Sequence, residues 1–368
     1  MNDFPEFHPA AAYTLAAPHQ ARPIVLIGAG GIVRDAHLPA YRKAGYPVWG
    51  IADIDVARAQ ALADEYGIER VFASAAEAIA AAPQDVVYDI ALMPEHFPAT
   101  LRELPDGAAV LLQKPLGQTL AEGEALRDLC ASKGLIAAVN TQLRFAPYVA
   151  AARALIADGV IGELYDFEIR VQTDTPWHMF PSVFGLPRLE INMHSVHYID
   201  LVRSFLGDPD AVSAVTVEHP EKHDIANTRS TILMRYRDRP IRVTISVNHD
   251  HAFGSGYDES FIKWEGTKGA IRAQMGLLLD YPRGGPDALE LALLAEKEKG
   301  WTPVPFEGTW FPDAFIGSMG AVQRFVEGSV PTLPTAVDDV LHTMAAVEAA
   351  YESAAHEGVQ LNIRGESA

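Results

Sequence analysis

Cys130 is the only cysteine among 368 residues, so the chain can form no intramolecular disulfide, no dithiol redox pair and no thiolate cluster for zinc. A reducing cytoplasm is the expected compartment. Long apolar runs are missing too. Charges or prolines break the most hydrophobic segments well short of the roughly 20 residues that cross a bilayer. The first 21 residues lack the basic cluster, apolar stretch and cleavage site of a secretory signal. Positive charge is scarce: 29 Lys and Arg stand against 48 Asp and Glu, a net −19. Such a surface repels polyanions, so neither nucleic acid nor an anionic membrane is an expected partner.

What is present is a chain of two-domain length, 49% hydrophobic and 21% charged, with apolar side chains enough for a sizeable interior. Residues 1–21 read as an irregular arm. From Arg22, short apolar strands alternate with helical segments: PIVLIG, a helix from about Val33 to Gly45, VWGIADI, the helix VARAQALADEYG, SAAEAIAA, the strand DVVYDIAL, EHFPATLREL, AAVLLQK, a helix through Cys130, and LIAAVN. This alternation implies crossover units and a parallel sheet over residues 22–142. Cys130 is expected to be a buried small thiol.

The period then changes. Leu164–Thr173, Val212–Glu218, Ser230–Tyr236, Ile241–Val247 and Phe261–Glu265 are strand-like and joined by short polar turns, the mark of a mainly antiparallel open sheet. An insert over 174–209 ends in the helical stretch EINMHSVHYIDLVRSFLG, and two helices at about 315–329 and 336–354 close the chain. The expected fold is α/β: a Rossmann-type domain over 22–142, then an α+β domain over 143–368 whose late helices pack against one of the sheets.

The sharpest local signal is Gly28–Ala29–Gly30–Gly31–Ile32–Val33, between a strand and a helix. Gly28 permits a tight turn, and Gly30 lets the backbone approach a pyrophosphate seated on the orphan N–H groups of the helix. Val33 stands where the third glycine of the pattern usually falls. Asp53, ending the second strand, is placed to take both ribose hydroxyls and to repel a 2′-phosphate. The expected cofactor is NAD. Arg58 lies inside the next helix and reads as a surface residue. The loop Leu92-Met93-Pro94-Glu95-His96 and the pair Lys114-Pro115 follow later strands, at the sheet edge where ligands gather.

His194 and His197 share a helix face, with Asp200 able to orient His197. The trio also suggests zinc, but no cysteine or paired carboxylate completes a set, and no metal is expected. His219 and His223, separated by Pro220, are poor helix-face ligands. Trp177, His178 and Arg188 belong to an aromatic, hydrogen-bonding loop suited to gripping a polyhydroxylated ring.

Taken in order, GAGGIVRDAHLPAY, Asp53, ALMPEH, the Lys-Pro pair, NTQLRFAPY and HYIDLVRSFLG resemble the glucose-fructose oxidoreductase / inositol dehydrogenase family, Gfo/Idh/MocA. The resemblance spans nearly the whole chain. It implies hydride transfer between a nicotinamide and a hydroxyl of a sugar, polyol or related compound, and a sheet used for homodimer or homotetramer contacts. The family's Glu-Lys-Pro falls on Gln113, Lys114 and Pro115, and its catalytic histidine on His197. Its aspartate four positions earlier is Met193 here, with Asn192 or His194 as replacements for that contact. The implied cofactor contacts are Gly28, Gly30, Gly31, Ile32, Asp53, Leu92, Pro94, His96, Lys114 and Gln142. Substrate contacts are expected from Arg144, Trp177, His178, Arg188, Asn192 and His194.

For catalysis, His197 is the favoured base because its ordinary pKa lies near neutrality, with Lys114 holding the oxygen. Their roles are exchangeable, since a desolvated Lys can itself be the base. Two other functions fit the same residues. One is a closed redox cycle giving epimerisation, elimination or glycoside cleavage without net NADH. The other, motivated by Gln113 and Met193, is a nucleotide-sensing protein without catalysis.

Overall fold

Runs of β-branched and aliphatic residues buried on both faces build the first sheet. The computed structural model describes residues 16–356 and Gly358; the first 15 residues of the expected arm lie outside the described residues. Six strands, β1 (Ile24–Ile27), β2 (Val48–Ala52), β3 (Val71–Phe72), β4 (Val87–Ile90), β5 (Ala109–Leu112) and β6 (Ile136–Val139), pair in parallel in the order β3-β2-β1-β4-β5-β6. That order reverses between β1 and β4, where a doubly wound sheet opens a crevice for ligand. The short edge strand β3 was not anticipated.

Five helices alternate with these strands: α1 (Leu38–Ala44), α2 (Val56–Tyr66), α3 (Ala75–Ala81), α4 (Phe97–Glu103) and α5 (Leu120–Ser132). Asp55, Ser74 and Thr119 each cap a helix N-terminus by accepting a backbone N–H, and Gly45 and Gly67 end α1 and α2 in the left-handed conformation. The helix expected from Val33 opens as a π-helical turn over Val33–His37 before α1. Cys130 is buried and its thiol is pushed up to about 11 by desolvation.

After α6 (Pro147–Ala157), the second sheet comprises β7 (Leu164–Gln172), β8 (Ala211–Val217), β9 (Arg229–Arg235), β10 (Arg242–Asn248), β11 (Glu259–Gly266), β12 (Gly269–Gln274), β13 (Ala288–Leu293) and β14 (Thr302–Pro303). Their order is β14-β13-β12-β11-β7-β10-β9-β8. Every pairing is antiparallel except β7 with β10. Two differences from the sequence reading follow: three strands beyond residue 266 extend the sheet, and residues 218–228 and 249–258 are loops rather than short turns.

The inner face, with Phe167, Ile169, Val171, Ile245, Ile262 and Trp264, is buried with side chains of α6, of α7 (Val196–Leu206) and of the last helix. The two closing helices are α8 (Asp313–Val326) and α9 (Val337–Ala355). Phe315, Met319 and Val322 of α8 join Leu26, Tyr41, Ala109 and Leu111 in the core on one face of the first sheet. α9 packs on α5, α7 and β8. No described helix is long and apolar enough to cross a membrane.

Candidate active site

The crevice begins at the glycine turn. Gly28 has φ +106°, and a Cβ there would lie 2.5 Å from the carbonyl oxygen of Ala91, so only glycine lets β1 pass so close to the end of β4. A Cβ on Gly30 would meet nothing within 4 Å; the turn is open on that side, as a seat for a pyrophosphate requires. Asp53 accepts the N–H of Ala29 at 2.7 Å and of Asp55 at 2.8 Å, which fixes its carboxylate against the turn. Gly31 is exposed, Ile32 half-buried and Val33 fully buried in the core. Arg58 pairs with Asp55 at 3.0 Å on the surface, as expected. At the end of β4, Leu92 touches the Gly28 position, Pro94 is buried, and His96 is exposed just before α4. Gln142 is buried in the turn after β6, its Oε1 without a partner. An open glycine turn with a carboxylate beside it fits a dinucleotide bearing a free ribose diol.

Lys114 leaves β5 at the same edge. Its Nζ donates to the main-chain oxygen of Met193 at 2.8 Å, and desolvation brings its ammonium down to about 8. Met193 belongs to a π-helical stretch, Glu190–Ser195, that carries His194 and runs into α7, which carries His197. His197 is 6% exposed and its Nδ1 has no partner. Burial, and then the charge of Lys114, hold its ring well below the ordinary histidine range. His197 is therefore not poised near neutrality: a desolvated imidazole beside an ammonium stays neutral. His194 is lowered in the same way by burial, His249, Lys114 and His197.

Several expectations are corrected. Asp200 does not orient His197: its carboxylate is taken by Arg144, through both Nε and Nη2, and by Thr343 Oγ1. Arg144 is consequently held by the fold, with two further N–H groups going to Asp339 and the carbonyl of Pro334. Arg188 is engaged by both oxygens of Glu348 at 2.7 Å and stacks over Tyr351. Asn192 is fully buried and donates to Gly117 O and Gln118 Oε1, tying the π-helical stretch to the loop after Lys114. These three position the cleft walls.

Trp177 is also largely buried, its ring edge-on to His194 and His249 at 5.8 and 5.6 Å, and its Nε1 pointing at Asp250. His178 is exposed one residue further on.

Two polar clusters escaped the sequence reading. Beside His194, at a ring distance of 4.4 Å, lies His249, which in turn stands 4.0 Å from Glu190. Beneath the first sheet, buried His37 and Tyr41 both bond the Asp89 carboxylate at 2.6 Å. The signal for the second was a carboxylate inside the apolar strand DVVYDIAL; the first had none, because Glu190 and His249 come together only through the chain leading into β9, where Glu190 N bonds Asn227 O and His249 N bonds Thr228 O.

The parallel sheet, its glycine turn and the lysine at its edge define an NAD-linked oxidoreductase. A profile of the oxidoreductase family with an NAD-binding Rossmann fold matches residues 22–141, and that of the Gfo/Idh/MocA C-terminal domain matches residues 149–272. The chain belongs to the Gfo/Idh/MocA family. It is 27% identical over 341 residues to a D-apiose dehydrogenase from Paraburkholderia graminis, covering 89% of this chain and 86% of the relative. Among solved structures, it resembles an Agrobacterium radiobacter oxidoreductase complexed with NAD+, L-tartaric acid and magnesium: TM-score 0.74, 24% identity, 91% of this chain and 97% of the other. It also resembles a levoglucosan dehydrogenase complexed with NADH and levoglucosan: TM-score 0.71, 21% identity, 91% and 98% coverage.

Proposed function

We propose that this protein oxidises a hydroxyl carbon of a sugar, inositol or related polyol, passing the hydride to NAD+. The observation that carries this reading is Lys114 at the crevice edge, its Nζ 2.8 Å from the main-chain oxygen of Met193 in the stretch that leads into α7 and the buried His197. The curated relative acting on D-apiose points to the same substrate class.

Bound nicotinamide supplies the hydride acceptor. Lys114 Nζ, in its neutral form, takes the hydroxyl proton, and a group titrating near the working pH serves this task best. In the reductive direction the ammonium returns it. His197, neutral throughout, hydrogen-bonds the hydroxyl and holds it toward Lys114. Asp53 supports NAD over NADP. His194 and Trp177 border the same space and are the substrate contacts best supported by their positions.

The deciding experiment is a screen of NAD+ reduction across aldoses, inositols and sugar acids. Stoichiometric NADH with one of them supports the dehydrogenase. Product without net NADH points to a closed redox cycle, and tight NAD binding without any turnover to a sensor.

We further propose that the division between cofactor and substrate domains falls after residue 142, and that the chain forms a homodimer or homotetramer. Val215 and Leu233 lie 63% and 48% exposed on the open face of the second sheet, where a second copy would cover them. Light scattering at micromolar concentration showing only a 39.9 kDa species would contradict it. The lone buried thiol suits a reducing compartment, and we place the protein in the cytoplasm.

A further inference from the structure

Asp89 stands in the middle of an apolar row. In the register of the first sheet it lies between Leu26 on β1 and Leu111 on β5, with Ala138 on β6 beyond, and all three neighbours belong to the core that α1 and α8 cover. Its carboxylate is fully buried, as are His37 and Asn140. A buried carboxylate is costly unless donors satisfy it. Two donors do so: Nδ1 of His37 and the hydroxyl of Tyr41, each 2.6 Å from Oδ2. The other ring nitrogen of His37, Nε2, accepts from Nδ2 of Asn140 at 3.4 Å, so the tautomer with its proton on Nδ1 serves both contacts. Burial, and then Asp89, hold the Tyr41 phenol well above its ordinary range, which keeps it a donor.

The members of this cluster belong to different walls of the crevice. His37 ends the π-helical turn that begins at Val33, and the N–H of Val33 bonds Gly30 O in the glycine turn at 3.1 Å. Asp89 lies two residues before Ala91, whose carbonyl oxygen is the atom that Gly28 approaches so closely. Asn140 lies two residues before Gln142, and its own N–H bonds Leu112 O, at the end of the strand that leads to Lys114. Phe315 of α8 closes the cluster, its ring 4.9 Å from that of His37. Asp53 follows β2, on the other side of β1, and takes no part.

We propose that Asp89 is a positioning residue for NAD, fixing through His37, Tyr41 and Asn140 the three segments that border the dinucleotide: the helix behind the glycine turn, the end of β4 and the turn after β6. The inference goes beyond the function proposed above, since it concerns cofactor affinity and holds whichever hydroxyl is oxidised. Stability is a poor reason for the cluster. A leucine at position 89 would continue the row of its neighbours, and apolar residues of matched volume often replace a buried polar set at no loss of stability. What apolar packing does not supply is direction. Hydrogen bonds of fixed geometry hold the three segments in one arrangement, and a binding constellation needs its groups within about 0.5 Å of their productive places.

The test compares three variants by calorimetric titration with NAD and with AMP, and by denaturant unfolding without ligand. Asp89→Asn keeps the shape but turns an acceptor oxygen into a donor, and should weaken NAD binding about tenfold. Tyr41→Phe removes one hydroxyl and should weaken it about threefold. The triple variant His37→Leu/Tyr41→Phe/Asp89→Leu removes the cluster as a unit. It should resist denaturant better than Asp89→Asn and still bind NAD about tenfold more weakly than the wild type. AMP lacks the nicotinamide half, which lies toward Lys114, so its affinity should fall by no more than about twofold in each variant.

A folded triple variant with wild-type affinity for NAD would overturn the proposal. So would equal losses for NAD and AMP, or losses of affinity that track the unfolding midpoint across the three variants. Should the triple variant not fold, Tyr41→Phe decides, and wild-type NAD affinity there overturns the proposal. Failure of the functional reading is separate: no sugar or polyol then reduces NAD+, while the titrations, which need no turnover, still decide the role of Asp89.

Discussion

Lys114 and Met193, 79 residues apart, meet at 2.8 Å through an ammonium and a main-chain carbonyl. A carbonyl accepts the hydrogen bond without bringing a charge, and Gln113 beside Lys114 brings none either. The ammonium is lowered by desolvation alone, so the protein has tuned this lysine by leaving it without a carboxylate.

That tuning sets the pH dependence. Oxidation needs the neutral amine, so kcat in that direction should climb as pH rises through about 8, while reduction needs the ammonium and should fall over the same interval. Gln113→Glu places a carboxylate next to Lys114 and should move both limbs upward by about one unit or more. Steady-state rates in both directions, with a profile that stays put, would refute the assignment of Lys114 as base.

Lys114→Ala and His197→Ala should each lower kcat by about 10²-fold or more, while NAD affinity, followed by fluorescence titration, is nearly unchanged. Because both act on one proton transfer, the double variant should cost much less than the product of the single effects. Near-normal kcat in His197→Ala would move the role to His194.

Asp53 should make NAD the preferred cofactor. A 2′-phosphate there would meet a carboxylate already fixed by Ala29 and Asp55. Comparison of kcat/KM on one substrate tests this: an advantage for NADP of about tenfold or more would contradict it, and Asp53→Ser should narrow the gap.

Arg144 and Asp200 are 9% and 1% exposed, and removing one partner leaves a buried charge uncompensated. Arg144→Met should destabilise the fold by about 3–5 kcal/mol, read from denaturant unfolding. The surviving folded enzyme should keep its KM for substrate; a large rise in KM at full stability would return Arg144 to the substrate site.

Much of this architecture was legible from the chain alone. The strands of the first sheet are β-branched and apolar, and the expected Val212–Glu218 lies within one residue of the observed Ala211–Val217. GAIRAQ and ALELAL were missed because their alanines, leucines and charges favour a helix locally; pairing with β11 and with each other overrides that preference. In the site, local motifs mark the glycine turn, Asp53, Lys114 and the helix carrying His197. What motif reading cannot supply is who competes for a side chain. Arg144 and Arg188 were assigned to substrate because their partners, Asp200 and Asp339 for the first and Glu348 for the second, lie 56, 195 and 160 positions away.

The placement of α8 has a consequence for biosynthesis. Leu111 and Ala138, on strands finished before residue 140, share their core with Phe315 and Met319. While the ribosome is still making the second sheet, that face of the nascent first sheet has α1 and α2 but lacks the cover that α8 supplies, and it exposes apolar surface until residues 313–326 have been added. A fragment ending after residue 142 would keep its nucleotide turn and strand order and still bind to chaperones or to itself, whereas supplying α8 as a separate peptide should rescue its solubility.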